Sequence, residues 1–382
     1  MNRNENAAIF GGQTRFDAVV IGAGLGGLSA AISLRERGLR VALLERGEVG
    51  RHKVCGEFLS PESGDFLRNL GVYDAVFAAG ATQIRRARVA LGEKTGRELP
   101  LLPNRGGEAG IGISRAQLDA ILWERAAQIG VQTRQNTRVL SWETEAENFR
   151  VSGQNFELTA PFLVVATGRG ASVLPSREKM SGQGAAKFLG LKAHFSGVGI
   201  ADDEVQLFPF RGGYCGISRV ENGAFNVCAL VDYRRAKGRS SSQIFAEMRA
   251  ENAAFARAMN GATPRFEWLA TGNVSFGNFR PAHDGVLCVG DAAGYIHPLA
   301  GDGMAMALRA GQLAAHAISS SEKCDVAAQL YAQNWRREFG ARLKWAARLQ
   351  PLMLRPKWAL RGLQMLDCAP VLGKKLVALT RG

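Results

Sequence analysis

The segment Gly22-Ala23-Gly24-Leu25-Gly26-Gly27 could grip a phosphate with backbone alone, and Glu45 stands eighteen residues past its last glycine. Gly22 permits a sharp turn, Gly24 lets the main chain approach a pyrophosphate, and Gly27 allows close packing of a helix on a strand. The diphosphate would rest against the positive helix N-terminus. Glu45 is placed to accept hydrogen bonds from an adenosine ribose, and its charge disfavours a 2′-phosphate at that position. This chemistry requires a strand before the turn and a helix after it. Phe16 to Ile21 (FDAVVI) reads as the buried strand, and an alanine-rich apolar segment runs on to Arg37. Gly38 supplies the C-cap residue, and Arg40 to Leu44 forms a second strand ending at Glu45. A glycine-rich turn with no ligand is the plain alternative, and the flanking elements in register oppose it.

A second constellation lies far along the chain. Gly285 to Val289 (GVLCV) reads as a buried strand, followed by Gly290-Asp291-Ala292-Ala293-Gly294, then Pro298, Gly301-Asp302-Gly303 and a helical run from Met304 to Ile318. Asp291, just off a strand end, can hydrogen-bond a polyol such as a ribityl chain. Gly301 and Gly303 would let the backbone lie against a flat ring. A helix starting near Gly303 and Met304 would aim its positive end at that ring, stabilising negative charge by about 0.3–2 kcal/mol.

Together these two motifs resemble the FAD-dependent oxidoreductases that include geranylgeranyl reductases, aromatic-ring hydroxylases and squalene epoxidases, over about Phe16 to Ile318. The resemblance implies an α/β fold: a Rossmann-like FAD-binding domain of the glutathione-reductase type, an inserted, mainly antiparallel β-sheet substrate domain, and a C-terminal helical tail. The corresponding boundaries are 16–85, 105–170 and 271–330 for the FAD domain, 86–104 and 171–270 for the insert, and 331–382 for the tail. It further implies FAD as cofactor, NADH or NADPH as a transient electron donor, and a hydrophobic, prenyl or lipid-like substrate whose C=C bond is reduced. A monooxygenase and a non-catalytic electron carrier are the alternatives.

The middle of the chain adds candidates. Ser114-Arg115-Ala116-Gln117 reads as a capping box opening a helix that Gly130 ends. In the resembling families an arginine here lies near FAD, which carries over to Arg115; the bland reading is a solvated arginine. The strand around Thr137 to Leu140 commonly lends those families an adenine contact, here Val139. Lys53-Val54-Cys55-Gly56-Glu57 matches the Cys-Gly pair of the reductase branch, so Cys55 is a candidate catalytic residue, against a buried inert thiol. His297 is a candidate proton donor or a structural histidine. Tyr214 is a pocket candidate or a core residue. Thr167-Gly168 replaces the Asp-Gly pair of aromatic hydroxylases, the WxWxIP signature of halogenases is absent, and Gly213-Tyr214-Cys215-Gly216-Ile217 lacks the tryptophan of the prenyl-reductase element.

Alternating patterns predict strands at Lys187 to Phe195, Val205 to Phe208, Gly213 to Arg219 and Ala224 to Val231, joined by a hairpin at Ala87 to Leu101. The 382 residues suit two intimately joined domains, and six scattered cysteines without a CxxC pair suggest neither zinc nor disulfides. A cytoplasmic protein without a membrane span is expected, because the charge-free Ala18 to Leu34 carries the turn glycines. Of the net charge of +14, most sits in residues 335–382, with eleven Lys/Arg against two Asp/Glu. There Trp335, Phe339, Leu343, Trp345 and Leu349 interleave with basic residues. This pattern fits a peripheral contact with anionic membrane or helices packed on the protein's own core. No recognised module supports nucleic-acid binding.

Overall fold

The computed structural model describes residues 13–90, 96–99, 107, 109–168, 188–274, 276–277, 279–294 and 302–353. Its centre is a six-stranded sheet ordered Ala282–His283, Val286–Cys288, Phe162–Val165, Ala18–Ile21, Val41–Leu44 and Gln132–Arg134. The last five strands run parallel. Its four central strands, Val286–Cys288, Phe162–Val165, Ala18–Ile21 and Val41–Leu44, are buried along their whole length and read as continuous hydrophobic runs, as strands covered on both faces do. The helix Leu25–Glu36 follows the first strand, and the helix Gly303–Ser319 packs directly across it.

That crossing depends on small residues. A β-carbon built on Gly311 would lie 2.5 Å from the Gly26 carbonyl oxygen and 2.6 Å from the Ala30 nitrogen. The Ser29 hydroxyl donates to the Leu308 carbonyl at 2.6 Å. Gly311→Ala should therefore push the two helices apart and cost about 1–3 kcal/mol, the usual toll of overpacking. A urea unfolding curve of the holoprotein checks this, and an unchanged midpoint would refute it.

The second large sheet has eight strands. Phe188–Ser196, Phe225–Asp232, Gly213–Arg219 and Glu204–Phe210 form an antiparallel run. Arg86–Ala90 joins it in parallel and pairs with Gly96–Leu99 as a hairpin. One face of this sheet, with Leu191, Ala193, Phe195, Cys215 and Ile217, is covered by the helices Ser241–Glu251 and Ala253–Ala258. The opposite face carries Lys192, His194 and Asn226, which meet the nucleotide-binding half.

Two local expectations need correction. Only half of the predicted capping box forms: Ser114 Oγ accepts from the Gln117 amide at 3.1 Å, but the Ser114 amide donates to Glu221 Oε2 at 2.8 Å rather than to Gln117. A carboxylate from the second sheet outcompetes the local partner. In the basic C-terminal stretch Pro351 and Pro356 are expected to interrupt the amphipathic pattern, yet the helix spans Cys324–Met353 and so continues past Pro351. Tyr331, Trp335 and Phe339 on it are buried against the nucleotide-binding core, with Leu343 packed beside them. The Tyr331 hydroxyl donates to the Cys288 carbonyl at 2.8 Å, and Arg342 reaches Glu62 at 3.2 Å. Leu349 and residues 354–382 lie outside the described side chains. Among the described residues no helix is long and apolar enough to cross a membrane.

Candidate active site

The first motif turns where its glycines require. Gly22 adopts φ +103°, the left-handed side that glycine favours, and its hypothetical β-carbon would strike the Ala166 carbonyl at 2.5 Å. At Gly27 a β-carbon would come within 1.9 Å of the Gly22 oxygen, so helix and turn are fused at that point. Gly24 differs. It caps the helix at an ordinary φ of −79°, and the nearest atoms to its β-carbon position are the Ala166 oxygen and Arg115 Nη2, each 4.0 Å away. The fold leaves this position open, as an approaching diphosphate requires.

Glu45 lies over the same turn, its Oε2 accepting from the Ala23 amide at 2.8 Å and its Oε1 from the Gly47 amide at 3.1 Å. The segment that wraps the strand tip is tied there by Thr137, whose amide donates to the Glu45 carbonyl at 2.8 Å. Val139, the first residue of the strand Val139–Glu145, is buried just beyond it. Arg115 opens the helix Arg115–Gln128 and is not a solvated arginine, since its side chain is only 14% exposed. It makes a two-pronged pair with the buried Asp119, at 2.8 and 3.0 Å, and Lys53 adds a third bond to Asp119 at 2.7 Å. Burial opposes both charges, yet Asp119 holds the Arg115 guanidinium charged, and the two cations hold the Asp119 carboxyl below its usual range.

The second motif is brought against the first. Gly290 and Asp291 lie in the short turn Gly290–Ala292, and the Gly290 nitrogen is 3.1 Å from where a Gly26 β-carbon would stand. Gly303 and Met304 form the first turn of the helix Gly303–Ser319, with the Met304 side chain buried in the core. Gly301 and His297 lie outside the described residues. The two glycine turns, more than two hundred and fifty residues apart, thus lie against each other. An open position at a helix N-terminus, an acid over the turn and a second acid just past a strand end are of the kind that suits the phosphates, ribose and polyol of FAD.

Arg115 joins these turns to a cluster that the sequence reading misses. The loop Lys53–Glu57 is fastened to the second sheet: Asn226 Nδ2 donates to the carbonyls of Cys55 and Gly56 at 3.1 and 2.7 Å. Glu57, with no exposed side-chain surface, accepts from the Arg115 amide at 2.7 Å, bonds His194 Nε2 at 2.6 Å, and pairs with the equally buried Lys192. These bonds hold Glu57 at φ +52°, a conformation uncommon outside glycine. Burial alone would raise its carboxyl, but His194 and Lys192 outweigh that and keep it ionised below its usual range. His52, exposed, stacks on Phe266 and meets the His194 ring edge-on at 4.9 Å. A clue to this cluster exists in sequence, since Lys192 and His194 alternate on one face of an otherwise apolar strand.

Cys55 is half-buried, within reach of the Arg115 guanidinium, and burial pushes its thiol up. Tyr214 lies on the face of the second sheet opposite the covering helices, packed with Phe188, Leu230 and Val274.

The sequence matches the family described as FAD binding domain over residues 15–325. A digeranylgeranylglycerophospholipid reductase 2 from Methanopyrus kandleri is 27% identical over 351 residues, covering 87% of this chain and 85% of the relative. Conditioned medium factor receptor 1 of Dictyostelium discoideum is 24% identical over 357 residues, covering 87% and 69% respectively. Among solved structures the flavin-dependent brominase Bmp2 superposes with a TM-score of 0.78 at 19% identity, over 96% of this chain and 93% of that one. The chain belongs to the FAD-binding domain family and is an FAD-dependent oxidoreductase.

Proposed function

We propose that the protein reduces C=C bonds of a hydrophobic, prenyl or lipid-like substrate. The observation that carries this reading is the Cys55 thiol, kept protonated by burial beside Arg115, on a loop clamped beneath a sheet face that carries Phe188, Tyr214 and Leu230. Relatives named digeranylgeranylglycerophospholipid reductase support the substrate class. Bound FAD supplies the hydride chemistry, with NADH or NADPH as a donor that visits and leaves. Gly22, Gly24 and Gly27 would hold its diphosphate, Glu45 its ribose, Val139 its adenine, and Asp291 its polyol. Arg115 would set positive charge beside the diphosphate, while the turn at Gly301 and the helix start at Gly303 and Met304 would face the ring. The chain's own residues exclude water and place one labile proton at Cys55 Sγ, ready for the carbon that does not take the hydride. His297 is a second candidate for that proton.

A membrane contact belongs to the same proposal and would have to use residues other than Trp335 and Phe339, which are committed to the core, such as the exposed Arg336 and Arg337. The test is spectroscopic and then chemical. Purified protein should be yellow, bleach with NADH or NADPH under nitrogen, and recover colour on adding a detergent-dispersed geranylgeranyl lipid, with saturated product by mass spectrometry. Product formed only with oxygen, carrying an added oxygen atom, would replace this reading with a monooxygenase.

A further inference from the structure

The Glu57 cluster is a costly way to join the two sheets. A buried ion pair of this kind is commonly matched or bettered in stability by apolar residues of similar size. Here Lys192 and Glu57 are both fully buried and His194 nearly so, at the junction of the two sheets. Their contacts form an unbroken series: His194 Nε2 to Glu57 Oε2 at 2.6 Å, and Glu57 Oε1 to Lys192 Nζ. At one end stands the exposed His52, whose ring nitrogen lies within 4.8 Å of the ligand atoms of Glu57 and His194, a gap that one water molecule spans. At the other end the loop carrying Cys55 is bonded to the same sheet face: Asn226, the register partner of His194, donates to the Cys55 carbonyl at 3.1 Å, and Lys192 is the next residue along that face. The same trio has the donor atoms of a metal site, but Lys192 neutralises its only carboxylate, so a dication would find no net negative charge.

We propose that His52, His194, Glu57 and Lys192 form a proton-supply chain that reprotonates Cys55 from solvent. This rests on the reading of Cys55 as proton donor. Saturating one C=C bond consumes a hydride, which the reduced flavin gives up as it is reoxidised, and one proton, which leaves the Cys55 sulfur. Lys192 returns a proton to the thiolate, Glu57 passes one from His194 to Lys192, and His194 regains its own from water through His52. The net donor is water, and every chain member ends as it began. The charged groups facing the chain are fixed in role: Arg115 is locked on Asp119 with Lys53, and Glu221 holds the Ser114 amide. Cys228 is a thiol that burial pushes up. Burial, with the charges of Lys192 and His194, pulls His52 down, so it is neutral and ready to carry at physiological pH.

Two measurements decide the matter. Holoprotein reduced anaerobically with dithionite is mixed with geranylgeranyl diphosphate, and flavin colour is followed. His52→Gln, at an exposed position, should slow recolouring on the order of tenfold to a hundredfold. It should leave the oxidised flavin spectrum and the urea midpoint unchanged, and added imidazole should restore the rate. A wild-type rate in both His52→Gln and His194→Gln overturns the chain while leaving the reductase reading intact. If wild-type protein never recolours with the prenyl probe, that reading fails by itself. The chain is then judged by NMR of carbon-13 histidine-labelled holoprotein. The His52 and His194 titrations should be linked, each moving when the other is replaced by Gln and both moving in Lys192→Met. Independent, unmoved titrations overturn it.

Discussion

Gly24→Ala protein should fold normally and emerge from purification without the yellow of bound flavin. The added methyl meets nothing closer than 4.0 Å in the empty fold, and φ −79° is comfortable for alanine. Its only conflict is with a ligand that must approach the backbone at that point. Loss of that approach should weaken FAD binding by about a hundredfold or more, near 2.7 kcal/mol. Gly27→Ala is the contrasting control. There the methyl would overlap the Gly22 carbonyl at 1.9 Å and press on the Ala166 side chain at 2.8 Å. The helix must lift off the sheet, at a cost of about 3 kcal/mol or more. Circular dichroism, urea unfolding and flavin absorbance separate the two outcomes. A yellow Gly24→Ala protein with native affinity would refute the assignment of the cradle.

The contrast between these glycines explains how much of the molecule can be read from its sequence. The turn Gly22 to Gly27 is legible because its requirements are local: strand, turn and helix are contiguous, and each glycine answers to a neighbour a few residues away. The convergence of the second turn is legible less directly. Gly311 is small because the first motif's helix lies against it, and Gly26 is small because the Gly290 amide and the Ala307 carbonyl crowd it, facts about partners hundreds of residues distant. The Ser240-x-x-Gln243 capping box that starts the helix Ser241–Glu251 is readable in the sequence, yet the alternating strands around it dominate the pattern. Composition cannot distinguish the two uses of Trp335 and Phe339. An apolar stripe among arginines serves a membrane or a core equally well, and only the position of the central sheet decides for the core. The Glu57 cluster is the hardest to foresee. Whether a carboxylate in a loop becomes a buried hub depends on a lysine and a histidine more than 130 residues away.

That hub carries the second large effect. Glu57→Gln should lose about 3–5 kcal/mol, because removing one partner strands the buried Lys192 ammonium and leaves His194 without its carboxylate. Lys192→Met should be similarly costly, since it strands the Glu57 charge. The double replacement Glu57→Met with Lys192→Met should recover most of the loss, as two apolar side chains need no desolvated partner. The shared interaction would then appear as strong non-additivity in a double-mutant cycle. The pH dependence follows from the same charges. His194 and Lys192 hold the Glu57 carboxyl below its unfolded value of about 4.3. The folded state therefore binds fewer protons than the unfolded chain. Glu57's contribution is fully present above that unfolded value and is lost as the pH falls through the lower, folded one. Wild-type stability, measured by urea unfolding of the holoprotein across the acid range, should fall more steeply than that of the double variant. Parallel curves would mean that the ion pair adds nothing to the junction of the two sheets beyond its other contacts, such as those of Asn226 and Glu221.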